Sequence, residues 1–150
     1  EGQILFGGGA FQKIRQELLE KFNAHSIISL PQGAFAQMGA GVKTNLIFFD
    51  KTGSTKNIWY GEVSGKFTKK QKMHDSDFEE VFAKWQKREI SETSWITSID
   101  EIKERGFDLS PKNPIRAKED ELLEPSEIIS KIKITNQIVQ DIIKKLEELI

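Results

Sequence analysis

The residue types best suited to binding a ligand lie together in one stretch, from Gln32 to Lys43. It contains three glycines and two large apolar side chains: Gly33, Gly39, Gly41, Phe35 and Met38. Glycine allows a sharp turn or a close approach of the backbone to a ligand. Large apolar side chains in a loop lose solvation free energy unless they contact something. We therefore expect a functional loop here; the alternative is a loop that folds back onto its own core.

Other side chains offer little chemistry. His25 and His74 are the only histidines, and neither has a second ligand at a spacing typical of a metal site. The sequence has no cysteine, which excludes disulfides and thiolate metal ligands. No motif joins a serine to a histidine and a carboxylate, and no acidic pair lies in the glycine-rich stretch. We therefore expect no metal site and no catalytic residue in this sequence.

Short apolar runs flank the loop and are predicted to hold it. Residues 26–30 (SIISL) and 44–49 (TNLIFF) lack clean alternation, which is typical of strands buried on both faces. A third strand is predicted at 58–63 (IWYGEV), antiparallel to the second, and a shorter one at 94–97. A helix at 10–22, with apolar side chains at helical spacing, precedes the first strand. This order of elements indicates an α/β fold.

Two further helices carry start signals in the sequence. Ser76 and Glu79 match a capping box in front of an apolar stripe with helical spacing. Ser98 and Glu101 match a second capping box. Gly106 is placed to end that second helix in a left-handed conformation.

A basic segment follows the third strand. It consists of four lysines around one aromatic side chain: Lys66, Lys69, Lys70, Lys72 and Phe67. Such a segment can contact the phosphates of a nucleic acid. The alternative is a solvated loop, because lysine stretches of this kind are common on protein surfaces.

The C-terminal segment from Pro125 and Ser126 to Ile150 is predicted to be one long helix. Seven positions recur at alternating spacings of four and three residues: Ile128, Ile132, Thr135, Val139, Ile142, Leu146 and Leu149. Alternating spacings of this kind form a heptad seam. A helix this apolar must bury its face against a partner or, as an ordinary amphipathic helix, against the rest of the chain.

Composition limits the class of protein. The 150 residues are about one domain's length, with 37% apolar and 30% charged residues. A net charge of -1 argues against strong autonomous binding to nucleic acid, which needs a basic surplus. No apolar run approaches the roughly 20 residues of a membrane span, so we expect no membrane partner. The absence of cysteine favours a reducing compartment, the cytoplasm.

Long runs of the sequence resemble one protein family. The runs are LFGGGAFQKIRQELLEKFNAHSIISLPQGAFAQMGAGVKTNLIFFDK, IWYGEV, WQKRE and SWITSIDEIKERGFDLSPKNP, together with the C-terminal helix. They closely resemble the modification subunit of type I restriction-modification enzymes, a family of adenine-specific DNA methyltransferases. The resemblance covers almost the whole chain, and LPQGAF and GVKTNLIFF are its most specific parts.

The resemblance implies a Rossmann-like fold that uses S-adenosylmethionine, to which this chain contributes the last helix and strands. Two family motifs are not in the sequence: the glycine-rich cofactor turn and the Asn-Pro-Pro-aromatic tetrapeptide. Asn113-Pro114 lacks the second proline and the aromatic residue. The resemblance therefore implies a C-terminal fragment, with the catalytic and cofactor-binding residues upstream. We expect the fragment alone neither to bind S-adenosylmethionine nor to methylate DNA.

The resemblance also implies roles for the loop. Adenine must leave the duplex before it is methylated, and related enzymes hold it with the loop before the last hairpin strand. Phe35 is the implied platform for the base, and Lys43 is an implied phosphate contact. Thr44 and Asn45 are implied to hydrogen-bond a base edge or the backbone; the alternative for both is capping of the loop end.

The implied partners are DNA and the specificity and restriction subunits of the type I complex, and the C-terminal seam is implied to dock onto the specificity subunit. Three segments follow: 1–64 as the end of the catalytic domain, 65–117 as a helical extension, and 118–150 as an acidic linker with the docking helix. The loss of a parallel neighbour from the first strand would also favour a symmetric dimer of the chain. The alternative is a non-catalytic interaction module with a coiled-coil helix.

Overall fold

A computed structural model describes residues 3–115 and, further along the chain, residues 129, 132, 133, 135–137, 139, 140 and 142. The chain divides into two compact units, Glu1–Ile115 and Arg116–Ile150. The first unit is a mixed α/β structure with a four-stranded sheet.

The elements of the first unit largely follow the predicted order. They are α1 (Gln3–Phe6), α2 (Ala10–Lys21), β1 (Asn23–Ser29), β2 (Asn45–Asp50), β3 (Asn57–Glu62), α3 (Glu79–Lys87), β4 (Ser94–Ser98) and α4 (Ile99–Glu104). Short 3-10 turns lie at Ala36–Met38 and Asp75–Phe78. The strand order is β2-β1-β3-β4, in which β1 pairs antiparallel with β2 and parallel with β3, and β3 pairs antiparallel with β4.

The position of β3 differs from the prediction. The sequence suggests that β3 pairs with β2, but β3 lies on the other side of β1. The connection 51–56 crosses the end of β1, where Thr55 is buried at the junction of α2 and β1. The Thr55 amide donates to the Leu19 carbonyl, and its hydroxyl donates to the Phe22 carbonyl, each at 2.8 Å. The same hydroxyl accepts from the Ala24 amide at 2.8 Å.

β1 therefore has a neighbour on each side, and the predicted open edge at the first strand is wrong. Within residues 3–115 the edges of the sheet are β2 and β4. No side chain of β2 is fully buried, as expected for a strand at an edge. The argument for a symmetric dimer from the edge of β1 falls with this correction, and self-association of the chain stays a prediction.

The two faces of the sheet carry separate apolar clusters. The first cluster packs α1, α2 and α4 against the sheet: Leu5, Leu19, Ala24, Ile27, Ile58, Tyr60, Trp95, Ile102 and Leu109. The second cluster packs α3 and the β1–β2 loop against the other face: Ile28, Leu30, Ala34, Trp59, Val63 and Val81. Neighbouring residues of one strand fall in different clusters, as the alternation of side chains along a strand requires.

The start of α3 also differs from the prediction. Ser76 does not cap the helix, because it lies inside the 3-10 turn Asp75–Phe78 that precedes it. The capping carboxylate belongs to Asp77, which accepts from the His74 amide at 2.7 Å. The predicted box of Ser76 and Glu79 is therefore wrong.

The N-cap at Ser98 and the left-handed Gly106 predicted around α4 are confirmed. The Ser98 hydroxyl accepts from the Glu101 amide at 3.3 Å, which satisfies one amide of the first turn. Gly106 follows the helix with φ +67, the left-handed conformation expected there. The range 65–117 thus contributes β4 to the sheet as well as helices, and the division of the chain into three segments stays a prediction.

The second unit is described at a few helical positions. Ile132, Val139 and Ile142 of the predicted seam are among them, and each is about half exposed at 45–53%. Three other seam positions, Ile128, Leu146 and Leu149, lie outside the described residues. None of the described helices is long and apolar enough to cross a membrane.

Candidate nucleic-acid interface

The β1–β2 loop, residues 30–44, is closed and shaped by its own hydrogen bonds. At its base the Leu30 amide donates to the Thr44 carbonyl at 2.9 Å. Within it the Met38 amide donates to the Phe35 carbonyl at 3.0 Å, inside the short 3-10 turn. These hydrogen bonds help to shape the loop, which is carried by the sheet as binding loops often are.

Three predicted site residues line one cavity. Lys43, Thr44 and Asn45 border a space of about 380 Å³ between α1, the end of the loop and β2. The rest of its lining is apolar: Ile4, Leu5, Val42 and Ile47. A mostly apolar cavity with a few polar groups at one side is typical of sites for small molecules and extruded bases.

Two buried polar atoms lie on neighbouring strands at this end of the sheet. Asn45 Oδ1 and Ser29 Oγ have no hydrogen-bond partner among the described residues. Asn45 and Ser29 are directly opposite each other in the β1–β2 ladder, so their side chains point to the same face. Leaving such an atom unsatisfied costs about 1–3 kcal/mol, which a ligand able to hydrogen-bond would recover. Sequence reasoning missed Ser29; a polar residue at the end of a buried strand was the available signal.

Phe35 does not lie with the other three predicted residues. It is partly buried against the second cluster, whereas the cavity with Lys43, Thr44 and Asn45 includes Leu5 of the first cluster. The structure therefore brings three of the four predicted residues together and places the fourth toward the other face of the sheet.

A second cavity joins two segments that are separate in the sequence. It has a volume of about 580 Å³ and lies between the β1–β2 loop and the basic segment. The loop contributes Gln32, Gly33, Ala36 and Gly41, and the basic segment contributes Lys66, Phe67, Thr68 and Lys69, with Gly65 before it. Both segments leave from the carboxyl ends of the parallel strands β1 and β3. That edge of an open α/β sheet is where ligands usually bind.

Close packing between the two segments depends on Gly33. Its φ is +89, and a Cβ atom at this position would overlap the carbonyl oxygen of Phe67. Phe67 itself is 8% exposed, so it fixes the basic segment to the body of the protein. A glycine at position 33 is needed both for its backbone conformation and for this approach.

The contacts of His25 are with neighbouring side chains of the fold. Its Nδ1 lies 2.9 Å from Ser26 Oγ and 3.2 Å from Arg88 Nη2, and its ring is stacked 6.4 Å from the ring of Trp85. The Trp85 indole donates to Ser26 Oγ at 2.7 Å. These contacts join β1 to α3, and they explain His25 without a ligand.

Among the described residues, none with a shifted pKa lines either cavity, although Arg15, whose pKa burial lowers, donates to the carbonyl of Ile4 at the first one. Burial raises the pKa of Tyr60 and lowers the pKa of Arg88. Hydrogen bonds from Thr52 lower the pKa of Asp50 at the far end of β2. No group of His, Asp and Glu side chains that could hold a metal ion occurs in the described part of the chain.

Comparison with known proteins identifies the family. Residues 1–122 match the family model described as N-6 DNA Methylase. The chain belongs to this family. The matched residues include the whole described part of the first unit, so both cavities are features of an N-6 DNA methylase chain.

Similar proteins agree with this assignment. The EcoEI type I restriction enzyme methylase subunit of Escherichia coli is 29% identical over 158 residues, which cover 97% of this chain and 32% of that protein. A chain solved in work on complex assembly and conformational transition of the type I R-M system is 38% identical, with a TM-score of 0.73 over 99% of this chain and 34% of that one. A modification subunit from Vibrio vulnificus YJ016 is 35% identical, with a TM-score of 0.69 over 75% of this chain and 26% of that one. The chain thus spans about a third of the length of such relatives.

Proposed function

We propose that this chain is part of the modification subunit of a type I restriction-modification enzyme, which transfers a methyl group from S-adenosylmethionine to adenine in DNA. The observation that carries the proposal is the similarity over 99% of the chain, at 38% identity, to a chain of the type I R-M system. The sheet would then be the end of a Rossmann-like methyltransferase domain. A non-catalytic interaction module is not favoured, because the family match includes both the sheet and its loops.

The β1–β2 loop is the proposed element for the target base. The proposed roles are a phosphate contact for Lys43 and hydrogen bonds to the base or backbone for Thr44 and Asn45, which all line a largely apolar cavity. Asn45 Oδ1, a buried acceptor without a partner among the described residues, is the proposed partner of the exocyclic amine. Phe35 is partly buried against the second cluster and does not line this cavity, so its proposed role as a platform for the extruded adenine rests on its place in the same loop.

S-adenosylmethionine would supply the methyl group. We propose no binding residue for it among the described residues. The residues that line the two described cavities include no carboxylate. Carboxylates are the groups that bind the ribose hydroxyls of nucleotide cofactors in Rossmann-type folds. These two cavities therefore do not fit the cofactor, and the part that we propose for this chain in the reaction is to hold and orient DNA.

The proposed partners are DNA and the specificity and restriction subunits. Three seam residues of the second unit, Ile132, Val139 and Ile142, are helical and half exposed, which supports a docking surface for the specificity subunit. Burial of each such side chain in a complex is worth about 1.5–3 kcal/mol.

The proposal is tested with the complete subunit, assembled with its specificity subunit. The assembly should transfer methyl groups from labelled S-adenosylmethionine to adenine N6 in duplex DNA. Phe35→Ala should lower this rate while the melting temperature changes little, since stacking on an aromatic ring is worth about 1–3 kcal/mol per base. The matched control is Phe82→Ala, which removes a half-exposed ring from α3.

Two results would contradict these statements separately. An assembled wild-type complex that transfers no methyl group to adenine would refute the proposed function. A Phe35→Ala variant that melts far below both wild type and Phe82→Ala would show that Phe35 serves the core.

A further inference from the structure

The basic segment, residues 66–72, is held in place by an aromatic anchor. Phe67 is buried, its carbonyl lies against Gly33, and its ring lies against Gly65, which has φ +138. A solvated lysine loop would not need such an anchor. The segment therefore has a fixed position beside the β1–β2 loop.

The tip of the segment is also shaped by hydrogen bonds. The Thr68 hydroxyl accepts from the amides of Lys70 and Gln71 at 3.3 and 3.0 Å. The Thr68 amide donates to the Gln71 carbonyl at 2.9 Å. Such a turn fixes the backbone that carries Lys69 and Lys70. Less conformational entropy is then lost when these lysines bind a partner.

Within the described part of the chain, no carboxylate neutralises the charges of the segment. The sequence has no carboxylate from Ser64 to His74. All four lysines are exposed, and neither they nor Lys43 form an ion pair with any residue that the structure describes. The chain as a whole has a net charge of -1, so this group is a local concentration of positive charge. Lys66 and Lys69 face the glycine-rich loop across the second cavity.

We propose that the basic segment is a second DNA-binding element, in which Lys66 and Lys69 contact the phosphates next to the base held by the β1–β2 loop. The inference rests on the proposed function and deepens it, because it names the part of the substrate that the second cavity receives. Lysine is a compact point charge that suits a phosphodiester. Uncharged glycine-rich backbone on the facing side of the cavity lets the phosphate chain approach closely.

The test uses the complete subunit, assembled with its specificity subunit, and a DNA duplex of unrelated sequence. Lys66→Gln with Lys69→Gln should weaken binding about tenfold and reduce the slope of log affinity against log salt by about 1–2. Lys66→Arg with Lys69→Arg should retain both values. The matched control is Lys51→Gln with Lys56→Gln, which removes two exposed lysines from the opposite end of the sheet.

Each outcome decides the inference. A reduced slope for the Lys66 and Lys69 pair alone supports it. An equal reduction in both pairs would show an effect of net charge, and an unchanged slope would show that the lysines are solvated; either result overturns it. If the variant subunit no longer assembles with the specificity subunit but binds DNA as before, the lysines contact an acidic protein surface rather than DNA, which also overturns the inference. If the wild-type complex methylates adenine normally, a failed test overturns only the inference about the basic segment. If the wild-type complex has no activity, the proposed function is overturned as well.

Discussion

At the scale of single residues, substitution of Asn45 distinguishes a role in binding the base from a role in stabilising the fold. Its Oδ1 is buried without a partner in the described structure, which costs free energy in the folded protein. Asn45→Leu removes that cost at similar volume. We therefore expect unchanged or higher stability in urea, but slower adenine methylation by the assembled complex, because the hydrogen bond to the base is lost.

The control for Asn45 lies at the opposite end of the same pair of strands. Asn23 donates to Asp50 Oδ2 at 3.2 Å, so Asn23→Leu should lower stability and leave the methylation rate of the folded protein unchanged. If Asn45→Leu were instead destabilising, with normal methylation, Asn45 would be a capping residue of the loop.

Arg15 is a buried charged residue that joins three segments around α1. It is 3% exposed, and burial lowers its pKa. Its Nε donates to the Phe107 carbonyl at 2.6 Å, and Nη1 donates to the Ile4 carbonyl at 2.8 Å. One side chain thus joins α2, α1 and the segment after α4.

Replacing Arg15 should destabilise the protein strongly. Arg15→Leu leaves two carbonyl groups without their donor, at about 1–3 kcal/mol for each group that stays buried. The free energy of unfolding in urea should fall by that amount, while Lys13→Leu, an exposed change on the same helix, should have little effect. Equal stability of the two variants would mean that water replaces the guanidinium.

At the scale of elements, the contact between the two loops depends on Gly33. Gly33→Ala introduces strain at φ +89 and an overlap with the Phe67 carbonyl. The two loops should separate, with a lower melting temperature and weaker DNA binding. Gly39→Ala provides the matched control, because its φ is +83 but no atom lies within 4 Å of the added Cβ.

The comparison of these two alanine variants isolates the contact. Both carry a backbone cost of about 1 kcal/mol or more for a positive φ. Only Gly33→Ala should also weaken DNA binding by the assembled complex. Equal losses in both variants would show that the approach of the loops is not needed for binding.

Local patterns in the sequence predicted most elements but not their pairing. The runs at β1, β2 and β4 and the spacing in α2 are local signals, and the structure confirms them. The place of β3 depends on Thr55, whose hydrogen bonds reach residues more than 30 positions away. The residues of the run 58–63 do not themselves indicate which strand they pair with. The cap before α3 was misplaced for a local reason, because the observed box pairs His74 with Asp77, and a histidine does not match the Ser/Thr motif.

At the scale of the whole molecule, parallel pairing of β1 with β3 creates the candidate interface. The sequence singled out the β1–β2 loop and the basic segment separately, and it left a solvated loop as the alternative for the second. Their meeting requires that both leave the sheet at the same edge, which only the parallel order provides. The placement of Phe35 toward the other face could not be predicted either, since it depends on how the loop folds beyond the strand.

The last prediction concerns assembly through the second unit. Val139 and Ile142 are half exposed on a helical segment, and water contact with such a seam is unfavourable unless a partner covers it. Val139→Asp with Ile142→Asp should abolish assembly with the specificity subunit, since it places two charges in an apolar interface. The first unit should stay folded, as measured by its melting temperature. The control is Gln137→Asp with Gln140→Asp, which adds the same two charges outside the seam of this helix. Normal assembly of the seam variant, or a folding defect in the first unit, would show that the apolar face serves the intramolecular core.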